Sequence, residues 1–434
     1  MRKYVKILYS QMQVSIMKIV MSIRNLAETS GVERVVINLA SALCDLGHQV
    51  EIACYYKDKH GRVSTFPLDK RIAISYIYPH PDNHTNDKGL RKVIWKWFRH
   101  LIVNLRINKQ YKDADIFIES DFFLLFPYFK RRGMKYIRII HVEIAKWKRK
   151  NSLFDAVVLL SSSEYERWRN RADNITKIYN FVFLPFESRL KDIIRDSDNS
   201  NSALNPYDNL QDFIDSKRLL LTNNIKTHGY NVDSKNNDEY PCATPKSCKI
   251  IAVGQMYSEQ KGFPRLVSAY SKIAKEFPHC KLEITGKGNE ETIMNAQIHS
   301  LDMTKYIKLK PFSTNIESVY LQGDIYAMTS YYEGLPMALL EAMSYGLPLI
   351  AYEIDTIKDC FAPNPEIRNG ISYHKNGILV PNNNETLFCQ ALKELINNET
   401  MRIKMGQQSL ILIKNKFSKE VVMRDWQALL ESLM

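Results

Sequence analysis

Short β-like runs alternate with helical stretches twice over in these 434 residues, and a polar segment separates the two series. In the first series KIVMSI (18–23), VEIACYY (50–56), IAISYIY (72–78), DIFIES (115–120), YIRIIH (136–141), AVVLLS (156–161) and ITKIYN (175–180) read as strands. Between the first two, ERVVINLASALCDLGH (33–48) places Val36, Leu39, Ala40, Leu43 and Leu46 on one helical face. From 249 the alternation resumes with KIIAVG, LEITGKG, YIKLKPF, DIYAMTS, LIAY and GILV. Strands that alternate with helices form a parallel sheet covered by helices, because a parallel pair needs a crossover connection. Two such halves bind ligands best in the cleft where their strand ends converge.

A chain of this length, 45% hydrophobic, carries enough apolar surface for a core in each half. Residues 187–248 differ: RDSDNSNSALNPYDNLQDF and HGYNVDSKNNDEYP are rich in Asn, Asp and Ser, the composition of a polar linker or insertion. The expected organisation is an N-terminal extension (1–16), a first α/β domain (17–186), the linker (187–248), a second α/β domain (249–415) and a C-terminal helix (416–434) packing back on the first. Gln11, Gln13 and Lys18 interrupt the mildly apolar N-terminus, so neither a signal h-region nor a membrane span is expected. The seven cysteines are scattered, odd in number and without a C-x-x-C pair. That pattern indicates reduced structural thiols in a cytosolic chain rather than a disulfide framework or a zinc site.

The net charge of +13 is unevenly placed: residues 1–190 hold 33 Lys+Arg against 18 Asp+Glu, and the remainder holds 27 against 29. The basic surplus of the first half calls for an anionic partner there. With no arginine-rich nucleic-acid motif, a phosphate-bearing molecule or a lipid surface is preferred to nucleic acid. In KGLRKVIWKWFRHLIVNLR (88–106), Leu90, Val93, Ile94, Trp97, Phe98, Leu101, Ile102 and Leu105 recur at helical spacing, with Lys92, Lys96, Arg99 and Arg106 off the stripe. Two readings stay open: the stripe packs on the sheet, or the helix lies on an anionic membrane, its basic face and Trp95 touching lipid.

The sharpest chemistry lies in SYYEGLPMALLEAMSYGLPLIAY (330–352). DIYAMTS reads as a buried strand and its exit, Gly334 permits a turn, Pro336 suits a first helical turn, and MALLEAMSY is strongly helix-forming. Gly346 ends that helix and Pro348 prevents its continuation. A helix start beyond a strand's carboxyl end is an anion site. Glu333 and Glu341 flank it, and carboxylates beside an anion site accept hydrogen bonds from hydroxyl groups. A ligand with phosphates in the middle and hydroxyls at both ends is a nucleotide sugar.

EGLPMALLE resembles the E-x7-E element of the retaining glycosyltransferases of family four, which have the GT-B fold. SGVERVVINLASALCDLGHQV resembles that family's glycine loop and first helix, and AVGQMYSEQKGFPRLVSAY its donor-phosphate segment. ITGKG, NGILVP and FSKEVVMRDW follow in the family's order. The resemblance implies an α/β, GT-B architecture: two Rossmann-like domains facing each other across a cleft. Two departures stand out. Ser30 precedes a single Gly31 where the family has two glycines, and Gln255 stands where it has arginine.

The resemblance implies roles for individual residues. Lys261, before Gly262 at a helix start, would be a point charge for phosphate, with Gln255 donating neutral hydrogen bonds to the same group. Glu333 would grip the donor sugar and steady an oxocarbenium-like transition state. Glu341 would accept hydrogen bonds from ribose hydroxyls, and the backbone N–H groups of Gly334 and Leu335 would face the sugar and phosphate. His141 would reach the donor sugar or the acceptor, Gly31 would let the backbone approach the ligand, and Gly286 would border the nucleotide. For each the plain alternative is a structural residue: an exposed lysine, solvated carboxylates, a strand-end histidine or turn glycines. Asp113-Ala114-Asp115 resembles a metal-binding D-x-D but opens a strand in the first half, so neither metal nor other cofactor is expected.

The expected function is transfer, with retention, of a hexose or N-acetylhexosamine from a nucleoside diphosphate sugar to a growing surface glycan or lipid-linked oligosaccharide. The expected location is cytoplasmic, with a peripheral position at the inner face of the membrane left open. A nucleotide-sugar epimerase of the same fold, which needs no acceptor, and a degenerate scaffold subunit are the alternatives.

Overall fold

The computed structural model of the protein describes residues 16–81, 88–120, 125–184, 247–257 and 259–434. Residues 1–15, Cys242 and nearly all of the expected linker lie outside the described residues. The first sheet has seven parallel strands in the order β3-β2-β1-β4-β5-β6-β7. They are β1 (Lys18–Ile23), β2 (Gln49–Tyr56), β3 (Ala73–Tyr78), β4 (Ile116–Glu119), β5 (Lys135–Ile140), β6 (Ala156–Leu159) and β7 (Ile175–Lys177). The second sheet has eight, ordered β10-β9-β8-β11-β12-β15-β14-β13. These are β8 (Cys248–Val253), β9 (Cys280–Thr285), β10 (Ile307–Lys310), β11 (Ile325–Met328), β12 (Leu349–Tyr352), β13 (Glu366–Arg368), β14 (Ile371–His374) and β15 (Gly377–Val380). In each half the chain order reverses beside the first strand, between β1 and β4 and between β8 and β11. That reversal opens a crevice outside the strands' carboxyl ends.

The second sheet departs from the all-parallel expectation at one edge, where β14 pairs antiparallel with both β13 and β15. Asn369 and Gly370 connect β13 to β14 with φ of 51° and 80°, the left-handed pair that a tight hairpin turn requires.

The helix Gly31–Asp45 buries Val36, Leu39, Ala40 and Leu43 as its periodicity predicts. Ser30 is its N-cap: the hydroxyl accepts from Val32 N at 3.2 Å, and Glu33 reaches back to Ser30 N at 2.7 Å. The serine that departs from the family's paired glycines is therefore a capping residue, supplying a partner for an orphan N–H. The aspartates of the D-x-D are likewise structural. Asp115 accepts from Lys18 N at 2.7 Å and Asp113 pairs with the Lys18 ammonium at 2.7 Å, at the amino ends of β1 and β4.

The helix Gly89–Gln110 answers the question left open about its stripe. It buries Val103, Asn104 and Ile107, while Leu90, Val93, Ile94, Trp97, Phe98, Ile102 and Leu105 are exposed. The reading in which this stripe packs on the sheet is thus overturned, because another face of the same helix makes the contact.

The two halves are joined at several points. One hydrophobic core runs from the first sheet through the helices Gly31–Asp45 and Met337–Ser344 into the second half. The final helix, Lys419–Leu433, buries Val422, Met423, Trp426 and Leu430, and Trp426 belongs to the same core as Val35 and Leu39 of the first half and borders a small cavity with them. Val182 N donates to Phe417 O at 3.2 Å. Asp359, from the second half, accepts from Ser162 Oγ and Tyr179 Oη and pairs with Lys416, all at 2.9 Å.

Candidate active site

The loop leaving β11 is held rigidly before it presents any chemistry. Thr329 Oγ1 donates to Gly262 O at 2.9 Å. Gly262 has φ of 59°, and a Cβ there would lie 2.2 Å from Thr329 O, so only glycine fits this start of the Phe263–Ser271 helix. Arg265 donates to Thr329 O at 2.6 Å, to Ser330 O at 2.7 Å and to the side chains of Asn382 and Asn383, and its guanidinium lies over the Tyr331 ring. The carbonyls of Thr329 and Ser330 thereby gain a charged donor.

On that platform Glu333 is buried, 6% exposed. Its Oε1 accepts from Ser330 Oγ at 2.7 Å and from the Lys261 ammonium at 2.6 Å. Lys261 therefore stands beside the first glutamate, within one cluster of cation, carboxylate and hydroxyl. Pro336 is the N-cap of the Met337–Ser344 helix, one position outside its first turn. Further along that helix Glu341 Oε2 accepts from Tyr320 Oη at 2.8 Å, and its Oε1 pairs with Arg34, which reaches over from the first half.

The first half meets this turn closely. His141 follows β5, and a Cβ added to Gly334 would sit 2.1 Å from His141 O. Asn180 Nδ2 donates to Leu335 O at 3.0 Å. Both ring nitrogens of His141 are shielded from water and have no hydrogen-bond partner among the described residues. Burial pushes the His141 pKa down to about 4. At neutral pH the ring is thus an uncharged imidazole able to donate at one nitrogen and accept at the other.

A cleft of about 620 Å³ gathers these groups. Gly31, His141, Gln255, Lys261, Gly286, Glu333, Gly334, Leu335 and Glu341, all singled out in the sequence, line it. Gly31 faces Met337 across the cleft, a Cβ there lying 3.7 Å from Met337 Cγ, and Gly286 lies against the Gly254 carbonyl. At the rim Phe66 of the first half meets Phe312 of the second edge-on, ring centres 6.3 Å apart. A cleft of this size accommodates a nucleotide-sized ligand, with cationic, carboxylate and neutral imidazole groups converging on it. Among the described residues no group of three or more His, Cys, Asp or Glu is placed to hold a metal ion.

Sequence reasoning missed Arg34, Asn180, Arg265 and Tyr320. Only Arg34 and Arg265 left a trace, as charged residues inside the motif segments SGVERVV and KGFPRL.

Two family models match the chain: one described as Glycosyltransferase Family 4 over residues 29–184, and one described as Glycosyl transferases group 1 over residues 236–410. An uncharacterized glycosyltransferase of Haemophilus influenzae is 24% identical over 417 residues, covering 95% of this chain and 99% of its own. The amylovoran biosynthesis glycosyltransferase AmsD of Erwinia amylovora is 30% identical over 185 residues, 43% of this chain and 48% of its own. Among solved structures, S. aureus TarM in complex with UDP superposes with a TM-score of 0.66 at 15% identity, covering 95% of this chain and 99% of TarM. The pneumococcal O-GlcNAc transferase GtfA, in complex with UDP and GlcNAc, gives 0.65 at 13% identity over 96% and 99% of the two chains. The chain belongs to the group 1 glycosyltransferases of family 4 and has their two-domain GT-B fold.

Proposed function

We propose that the cleft transfers a hexose or N-acetylhexosamine, with retention of anomeric configuration, from a nucleoside diphosphate sugar to an acceptor hydroxyl of a surface glycan or lipid-linked oligosaccharide. The observation that carries this reading is the Lys261–Glu333–Ser330 cluster at a strand exit, opposite the neutral ring of His141. When the bond between the anomeric carbon and the phosphate oxygen breaks, the electron pair leaves with the diphosphate. Lys261 and the backbone N–H groups beyond Pro336 are the positive charges to meet it. Glu333 offers its carboxylate to the positive charge developing on the sugar ring. The acceptor hydroxyl forms the new bond from the same face, its proton passing to the departing phosphate oxygen. A neutral His141 orients a sugar hydroxyl without adding a positive charge beside the oxocarbenium. The resemblance to AmsD, an amylovoran biosynthesis glycosyltransferase, supports a glycan acceptor. Release of nucleoside diphosphate from UDP-, GDP- or ADP-hexoses, assayed in EDTA, tests the reading. Turnover is expected to persist without a divalent ion; loss in EDTA restored by Mg²⁺ or Mn²⁺ contradicts the assignment of the phosphates to Lys261.

The exposed helix supports a peripheral place at an anionic bilayer. Leu90 and Trp97 are each 74% exposed, and Gly89–Gln110 contains no acidic residue. An apolar stripe beside basic side chains matches a lipid interface in both polarity and charge. No helix among the described residues is long and apolar enough to cross a membrane, so this contact would be interfacial. The protein is expected to sediment with vesicles of phosphatidylcholine and phosphatidylglycerol, less with phosphatidylcholine alone, and less at high salt, since surface charges are screened over about 8 Å at physiological ionic strength. Lys92→Glu with Lys96→Glu, and separately Trp97→Ser, should abolish sedimentation and leave the thermal melt unchanged, because these side chains face solvent. Wild-type protein that stays in the supernatant at low salt would overturn the membrane reading.

A further inference from the structure

Arg34 is a charged side chain that the transfer chemistry does not use. It projects from the Gly31–Asp45 helix of the first half to the Glu341 carboxylate of the second, and the two side chains are only 20% and 13% exposed. Its guanidinium lies 5.6 Å from the centre of the Phe66 ring, and its Nε is buried without a hydrogen-bond partner among the described residues. Around the carboxylate the surface is aromatic: Tyr320 donates to it at 2.8 Å and is itself stacked on Tyr345, ring centres 5.5 Å apart. A carboxylate in such surroundings keeps one orientation only while its Arg34 and Tyr320 partners hold it.

We infer that Arg34 is a positioning residue that orients Glu341 for the ribose of the nucleotide and so makes nucleotide affinity depend on contact between the two halves. This rests on the reading of Glu341 as the ribose acceptor. A carboxylate has roughly four lone-pair positions, so the Tyr320 and Arg34 contacts leave room for ribose hydroxyls to bind without displacing either. Displacing Arg34 instead would strand a buried cation against Phe66. The arrangement that strands no charge keeps the ion pair and adds the ribose. Closure and recognition are then one event, since the cation comes from one half and the carboxylate from the other.

The test is titration of UDP, GDP and ADP and of their 2′,3′-dideoxy forms into the full-length protein and its variants, with a circular dichroism melt of each. Wild-type protein should prefer the ribonucleotide by roughly tenfold or more, the scale of a hydrogen bond to a charged group. Arg34→Gln should lose that preference while still folding. Arg34→Lys, which keeps the charge without the planar fork, should retain part of it. Arg34→Gln with Glu341→Gln removes both charges and guards against an unfolded single variant. It should bind no worse than Glu341→Gln alone, because the two residues act as one unit. An Arg34→Gln variant that keeps the wild-type preference, or that binds the ribonucleotide more tightly, overturns the role of Arg34 alone. Wild-type protein that binds a nucleotide but ignores the missing hydroxyls overturns the ribose role of Glu341 together with this inference, and binding of none of the three overturns the proposed function itself.

Discussion

Glu333→Gln is expected to bind the donor nucleotide nearly as well as the wild type and to transfer sugar at a rate lower by roughly two orders of magnitude, the scale of one lost electrostatic contact to a transition state. The substitution keeps the shape of the side chain, and an amide oxygen can still accept from Ser330. It removes the negative charge that stands 2.6 Å from Lys261 and lines the cleft. A neutral group meets the ground-state sugar almost equally well, so KM should move little while kcat falls. Steady-state kinetics beside nucleotide titration separates the two quantities. Near-normal kcat would remove Glu333 from the chemistry, and a lost nucleotide affinity with normal kcat would make it a binding residue only.

The second large effect is expected at Gly334. Its position against His141 O leaves no room for a methyl group, since the ideal Cβ lies 2.1 Å from that oxygen. Gly334→Ala must therefore push the turn away from the first half by an ångström or more. The displaced elements carry Glu333 on one side and Leu335, held by Asn180, on the other. Misplacement on that scale costs about a hundredfold in rate when reacting groups must be held in line. Stability should fall far less, because the second half folds around its own core and Arg265 still anchors the loop. A crystal structure or small-angle scattering profile of the variant should show a wider cleft. Full activity in Gly334→Ala would mean that the close contact of the halves at this turn is not needed for transfer.

The parts of the site that were legible in the sequence are those set by local chemistry. A strand exit, a glycine turn, a proline and a run of helix formers place Glu333 and Glu341 relative to one another within a single stretch of chain. Lys261 and Gly262 were legible for the same reason. Arg34 was not, because its meaning comes from a partner on the other half of the molecule, and no periodicity or turn signal reports contacts across a cleft. Arg265 was hidden differently: the partners by which it anchors the loop are the backbone carbonyls of Thr329 and Ser330, which every sequence has. The exposed helix shows the limit of pattern reading most plainly. Periodicity located the apolar stripe of Leu90, Trp97 and Phe98, yet only the fold shows that Val103, Asn104 and Ile107 take the packing face instead. The β13–β14 hairpin could have been found, since Asn369-Gly370 is a strong tight-turn signal, but the expectation of parallel strands concealed it.

The central claim is that this cleft transfers a sugar with retention from a nucleoside diphosphate donor, and one measurement bears on it most directly. Purified protein is supplied with α-linked UDP-, GDP- and ADP-hexoses, with or without acceptor, and the anomeric proton of the first product is followed by NMR. One donor is expected to release its nucleoside diphosphate and to yield the α anomer first. A β product, or no release from any donor under conditions where the protein is folded, would contradict the account.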